Sequence, residues 1–250
     1  MARYQAILTY DGTEYSGMQR QAQARTVQGV VEEALKKIGW VGDSIIAAGR
    51  TDAGVHAAGQ VISFDLEWGH PEADLLNALN ASLPVDAAVS SVMLARKDFH
   101  PRYDAVSRRY CYSIFCQPRR QPLRERYAWR IWPQLDVIMM RSAAKRLLGE
   151  HDYSAYGAPP KKDGPTVRKV LNASWRQNDD RFEFEIEANA FLYHMVRRIV
   201  SQQIEIGLGK QNPETVAEYL DGNLPEKVQG LAPPNGLFLM EVHYPFDSDR

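Results

Sequence analysis

Cysteine is nearly missing from this sequence: Cys111 and Cys116 are the two in 250 residues, five apart with no second pair. That excludes a disulfide framework and a cysteine-based zinc set, and a reducing, cytosolic compartment is the expectation. An excess of one charge is missing too. The 30 lysines and arginines stand against 31 aspartates and glutamates, a formal charge of −1, so a nucleic-acid partner would have to be met by a local basic patch. No apolar run approaches the length of a membrane span, and Met1–Tyr10 is too poor in apolar residues for a signal peptide and reads as a first strand. Gly42, Gly49 and Gly54 lack the spacing of a phosphate or dinucleotide loop, and His56, His70, His100 and His151 form no His-Glu-x-x-His set. Neither a metal nor a small-molecule cofactor is therefore implied, and no membrane partner.

What is present is an ordinary core: 44% hydrophobic and 24% charged residues permit one large domain or two of roughly 100 to 150 residues each. Tyr4 to Tyr10 is a strand candidate, closed by the turn signal Asp11-Gly12-Thr13. Thr26 caps a helix with Val27, Val30, Val31 and Leu35 at helical spacing, ended by Gly39. Two strands follow, at Asp43 to Ala48 and Gly59 to Asp65, then a helix over 74–83 and a strand over 85–94. A similar order recurs after the boundary near Lys97 to Ala105: a strand at 107–115, a helix at 135–148, a hairpin of 167–176 with 181–187, a long helix from about Phe191 to Ile206, and a closing strand over 237–244. The reading is an α+β protein of two β-α-β-β-α-β halves, residues 1–100 and 101–250, with antiparallel sheets covered by helices and a cleft between the halves as the natural site.

The chemistry points to Ala48-Gly49-Arg50-Thr51-Asp52-Ala53-Gly54-Val55-His56, a strand connection in which two glycines frame an aspartate. The glycines permit a sharp bend and close approach of a ligand, and Arg50 offers Asp52 a cation. An ordinary turn with a solvated ion pair accounts for the same residues. No second acid is marked as a partner for glycoside hydrolysis. Tyr110 and Tyr112 share one face of their strand with Arg108, which suits stacking on an unpaired base or, equally, packing in a core. Arg119, Arg120, Arg124, Arg126 and Arg130, interleaved with Tyr127, Trp129 and Trp132, could hold phosphates or be a solvated loop. Lys161-Lys162 and Arg168-Lys169 form a second basic group, and Arg197-Arg198 lies among apolar helix neighbours.

Several stretches in order carry a resemblance: Tyr10-Asp11-Gly12, Gly49-Arg50-Thr51-Asp52-Ala53-Gly54-Val55-His56, Leu79-Asn80 with Leu83-Pro84, Phe99-His100, Arg109-Tyr110-Cys111-Tyr112, Ala188-Asn189-Ala190-Phe191-Leu192, Met195-Val196-Arg197 and Ala232-Pro233-Pro234-Asn235-Gly236-Leu237. Over nearly its whole length the chain resembles the TruA family of tRNA pseudouridine synthases. The resemblance implies isomerisation of uridine to pseudouridine in the tRNA anticodon stem-loop, at positions conventionally numbered 38, 39 and 40. It also implies contacts to the tRNA elbow, a homodimer, no cofactor, and two ferredoxin-like halves with the pseudouridine synthase fold. Carried over by motif, Asp52 matches the catalytic nucleophile, Arg50 the arginine that pairs with it and displaces the target base, and Tyr110 the tyrosine that contacts the uracil. Arg197 matches a basic group that steadies the aspartate, and Arg197, Arg109 and His56 are counted among the substrate-binding residues. The chain departs from the family's pattern at Met18, where Trp is usual, at Ser201, where Gly is usual, and at Pro101 and Tyr103. Two readings of other classes compete: an RNA-binding protein without catalysis, and a uracil methyltransferase using Cys111 or Cys116.

Overall fold

A computed structural model describes residues 1–224 and 226–245 of the chain. Two compact units emerge, one of Met1–Val106 with the chain from Phe238 onward, the other of Ser107–Leu237. This division departs from halves at 1–100 and 101–250 in two places: residues 101–106 and nearly all of the closing strand belong with the first unit.

The first unit follows the expected order, with strand β1 (Ala2–Tyr10), helix α1 (Val27–Lys37), strands β2 (Ile46–Ala47) and β3 (His56–Leu66), helix α2 (Glu72–Ser82) and strand β4 (Ala87–Leu94). Thr26 Oγ1 accepts the Gly29 N–H at 3.3 Å and so starts α1, while Gly39, with φ +93°, ends it in a backbone form that side chains resist. The second unit contains β5 (Ser107–Cys116), α3 (Pro122–Glu125), β6 (Trp129–Ile131), α4 (Val137–Lys145), β7 (Gly149–Asp152), β8 (Val167–Asn178), β9 (Arg181–Ala188), α5 (Met195–Gly207) and α6 (Thr215–Leu220). The last strand, β10 (Leu237–His243), is the one that rejoins the first unit.

In the first unit the strands run β4-β1-β3-β10, with β2 also on β3. β1 is antiparallel to β3 and β4, but β10 joins β3 in parallel, with Phe238 opposite His56 and Leu239 opposite Ala57. In the second unit β5-β9-β8-β7 is antiparallel throughout, and β6 adds to β5 in parallel. A parallel neighbour needs a long crossover, and for β10 that crossover runs through α2, β4 and the entire second unit.

One face of the second sheet builds that unit's core. Register places Tyr112, Phe184 and Trp175 in one row and Tyr110, Ile186 and Ala173 in the next, all buried. α4 packs on β8 and on α5, and Trp175 Nε1 donates to Gln203 Oε1 of α5 at 3.1 Å. Two expectations shift here. α5 begins at Met195 rather than near Phe191, because His194 holds φ 67°, a left-handed conformation through which a helix does not continue. β7 has no apolar alternation to announce it and exists because Gly149–Asp152 pairs with β8. Among the described residues no helix is long and apolar enough to cross a membrane.

Candidate active site

The Asp52 loop is fixed almost wholly by its backbone. Ala48 N–H donates to Val61 O at 2.8 Å as the chain leaves β2. Both peptide groups of Gly49 are then taken by one side chain, Gln60, whose Nε2 donates to Gly49 O (2.9 Å) and whose Oε1 accepts from Gly49 N (3.2 Å). Thr51 O accepts the Met18 N–H at 3.0 Å, Gly54 N–H donates to Tyr15 O at 3.3 Å, and Val55 N–H closes the turn on Asp52 O at 3.2 Å. Thr51 Oγ1 also meets the buried Tyr10 hydroxyl at 2.7 Å, and burial pushes the Tyr10 pKa up to about 12, which keeps that hydroxyl protonated. Asp52 is left half-buried and Arg50 exposed.

The segment after β1 presses directly on this loop, and two glycines make that possible. A Cβ at Gly12 would lie 2.0 Å from Val55 O, and one at Gly17 would lie 2.9 Å from Thr51 O. Gly17 also has φ +95°. Met18 is buried and braces the loop through its backbone, so the side chain that departs from the family's pattern leaves the bond to Thr51 intact.

Tyr15, whose carbonyl holds Gly54, is itself anchored. Its hydroxyl donates to Asp86 Oδ1 at 2.7 Å, Arg25 grips the same carboxylate through Nη1 at 2.7 Å and Nη2 at 2.9 Å, and the Arg25 guanidinium lies 4.2 Å from the Tyr15 ring centroid. The arginine beside it holds the Asp86 carboxyl below the usual range, and burial followed by the hydrogen bond to Asp86 pushes the Tyr15 hydroxyl up. Sequence reasoning missed Tyr15, Asp86, Gln60 and the two glycines as supports. Of these, the sequence marks Gly12 alone, as part of the turn signal Asp11-Gly12-Thr13, and not as a point of close approach.

His56 is buried, with Nδ1 accepting the Gly12 N–H at 3.0 Å and its ring stacked 4.6 Å from Phe238. In the first unit it therefore ties β3 to the Asp11–Gly12 turn. The expected ion pair between Arg50 and Asp52 is not formed among the described residues: Arg50 points to solvent, where a single exposed pair gains little.

The other candidate residues lie in the second unit. Tyr110 is 8% exposed and meets Phe191 edge-on at 5.1 Å, 83° between planes. Tyr112 is fully enclosed and donates to Pro233 O at 2.7 Å, so for this tyrosine the core reading holds. Arg109 projects from the opposite face of β5 to Tyr110, half-buried, with Nη1 3.3 Å from Glu185. Arg197 donates through Nε to Ala232 O at 2.7 Å, which holds the segment before β10 against α5. Ser201, another departure, lies where a Cβ on Gly230 would come within 2.4 Å of its hydroxyl.

The arginine-rich stretch is less open to phosphate than its composition suggests. Arg124 grips Asp180 at 2.7 and 2.9 Å, while Arg120 and Arg130 both reach Glu125, at 3.3 and 3.2 Å. Both cysteines are free. Burial, then the charges of Glu183 and Glu185, push the Cys111 thiol up to about 11, and burial raises Cys116 as well. Thiols so shifted are poor nucleophiles at neutral pH, which counts against the methyltransferase reading.

A family model described as tRNA pseudouridine synthase matches residues 6–104 and 143–245. The chain belongs to the tRNA pseudouridine synthase family. It is thus an isomerase by family. The tRNA pseudouridine synthase A of Geobacter sp. (strain M21) is 39% identical across 98% of this chain and 100% of its own length. The protein of the same name from Syntrophotalea carbinolica is 40% identical, covering 98% and 97%, and that of Thermoanaerobacter sp. (strain X514) is 38% identical, covering 98% and 100%. Asp52, Arg50, His56 and Arg197 fall inside the stretches matched to the family, whereas Arg109 and Tyr110 fall between them.

Proposed function

We propose that this enzyme converts uridine to pseudouridine in the anticodon stem-loop of tRNA, at positions 38, 39 and 40, with Asp52 as nucleophile. The observation that carries the reading is the fixed Asp52 loop: its neighbours' peptide groups are bound by Gln60, Met18, Tyr15 and Val61, which fixes the backbone that carries the carboxylate. A positioned carboxylate suits covalent catalysis. It attacks the ribose or the base, the bond from C1′ to N1 breaks, the uracil turns, C5 bonds to C1′, the bond to Asp52 breaks and frees its carboxylate, the C5 proton leaves and N1 gains one. Atoms and electrons balance with no redox step and no hydrolysis.

Arg50, exposed beside Asp52, fills the place of a base left unstacked, which offsets part of the few kcal/mol that extrusion costs. Tyr110, on its row with Ile186, contacts the uracil, and Arg197, Arg109 and His56 complete the substrate-binding set. The reading includes a homodimer in a reducing, cytosolic compartment, in keeping with the two free cysteines.

Asp52→Asn tests it, with tRNA transcript carrying uridine tritiated at C5. Turnover is expected to vanish while tRNA binding stays within a few-fold of wild type. Substantial tritium release by the variant would sink the nucleophile assignment, and a wild type that binds tRNA yet releases no tritium would leave an RNA-binding protein instead. Sedimentation of the free enzyme as a monomer at micromolar concentration would remove the homodimer.

A further inference from the structure

Close after the residue that meets Tyr110, the second unit presents a ring to solvent. Phe191 packs edge-on against the Tyr110 ring at 5.1 Å. Two residues on, Tyr193 is 58% exposed, and the His194 ring lies against it, 3.7 Å between centroids and 27° between planes. Consecutive side chains of an extended chain point to opposite sides, so stacking of two neighbouring rings requires the backbone to turn between them. Here it turns at His194, whose φ of 67° is the left-handed form that a residue with a side chain resists.

The backbone beneath the exposed ring is fixed. Tyr193 N–H donates to Ala158 O at 2.9 Å, and Met195 N–H closes on Leu192 O at 3.2 Å. Leu192 is buried, and Gly157 lets the two segments touch: a Cβ there would lie 2.5 Å from Leu192 Cβ and 2.8 Å from Tyr193 O. A ring anchored in this way binds at little ordering cost. Its surroundings are basic. Lys161 and Lys162 follow Ala158 closely, with Asp163 the one acid in that loop, and Lys169 on β8 donates its N–H to Asn189 Oδ1 at 3.0 Å; all three lysines are exposed.

A fixed, exposed aromatic face with cations beside it suits single-stranded nucleic acid, whose bases stack on such rings whatever their sequence while lysines meet the phosphates. Two residues of chain span at most about 7 Å, so the Tyr193 backbone lies within about that distance of Phe191, roughly two nucleotide steps of 3.4 Å along a stacked strand. We propose that Tyr193, backed by His194, is a stacking platform for an unpaired RNA base a few nucleotides or less from the uracil set against Tyr110. The platform rests on the proposed function for its RNA substrate, but its test reads binding and needs no turnover.

Affinity for a tRNA transcript with one target uridine is measured against salt concentration for wild type, Y193F, Y193L and Y193A. Y193A is expected to bind about 5- to 150-fold more weakly, while Y193F stays within about twofold of wild type. The slope of log K against log salt should be the same in all four, because no phosphate contact is removed. Y193L keeps apolar bulk without a π face and should bind nearly as weakly as Y193A. Wild-type affinity in Y193A or Y193L would overturn the platform. Transcripts with a single abasic nucleotide, moved through the anticodon arm, locate the base. At one position, no more than about three nucleotides from the target, the abasic site should weaken wild type and leave Y193A unaffected. Equal losses in both proteins at every position, or a distinguishing position farther away, overturn the inference. Sedimentation tests the other occupant of an exposed ring: if Y193A runs as a smaller species than wild type, a second copy of the chain covers Tyr193 and the RNA site falls. Absent tritium release by wild type would instead remove the proposed function and leave the binding result standing.

Discussion

The Asp52 loop and the Tyr110 strand present candidate catalytic groups by opposite means. Around Asp52 the constraints are peptide groups and bare glycines: Met18, Tyr15 and Gln60 hold the loop, and Gly12 and Gly17 let the chain lie against it. Around Tyr110 the constraints are side chains, a ring packed on Phe191 in a strand whose alternation does the orienting. A loop secured by its backbone tolerates change in exposed side chains such as Arg50 but not an added methyl beneath it. A strand secured by packing tolerates loss of a polar atom but not loss of a ring.

Gly12→Ala should have the largest effect. With Val55 O 2.0 Å from the new Cβ, backbone must move, and a loss of about 3 kcal/mol or more is expected, read by urea denaturation, together with loss of turnover. A stable, active variant would break the contrast. Asp86→Asn comes next, because Tyr15 and Arg25 lose an ionised acceptor, worth about 1.5–3 kcal/mol. The Arg25 guanidinium holds the folded Asp86 carboxyl below the usual carboxylate range, so its contribution is present above the unfolded pKa of about 3.9 and is lost as pH falls through the folded value. Wild type and Asp86→Asn should therefore converge in stability in acid; parallel curves would detach Asp86 from the loop.

Tyr110→Phe should cost under about 1 kcal/mol of stability, since the ring and its Phe191 contact remain, while turnover falls if the hydroxyl handles the C5 proton. Unchanged turnover would limit Tyr110 to stacking. The smallest effect is expected from Arg124→Ala. Arg124 holds Asp180 down to about 2, but the pair lies partly exposed at the surface, so at most about 1 kcal/mol is at stake, and the salt slope for tRNA should barely change. A large drop in slope would return the arginine-rich stretch to the RNA path.

Much of the first unit could be read from its sequence because its signals are local: Thr26 as a cap, Gly39 as a stop, the valine and leucine spacing of α1. The Asp52 loop stood out through its framing glycines. What holds that loop did not, since Asp86 lies 71 residues from Tyr15 and no pattern joins them. α5 was extended backward to Phe191 by apolar periodicity, which cannot register that His194 adopts a left-handed backbone. The arginine stretch misled for a related reason. Composition counts charges and does not reveal that Glu125 and Asp180 are waiting for them.

The late return of β10 has a consequence for the order of events in synthesis. β1 through β4 leave the ribosome first, yet the strand that stacks Phe238 on His56, and so backs the turn at Gly12, is made last. At about 5–20 residues per second, the first unit waits many seconds for its final strand while the second unit is being translated. A truncated or stalled chain would carry Asp52 and every peptide group that binds its loop, and still lack the strand behind His56. Completion of the support behind the Asp52 loop is thereby coupled to synthesis of β10.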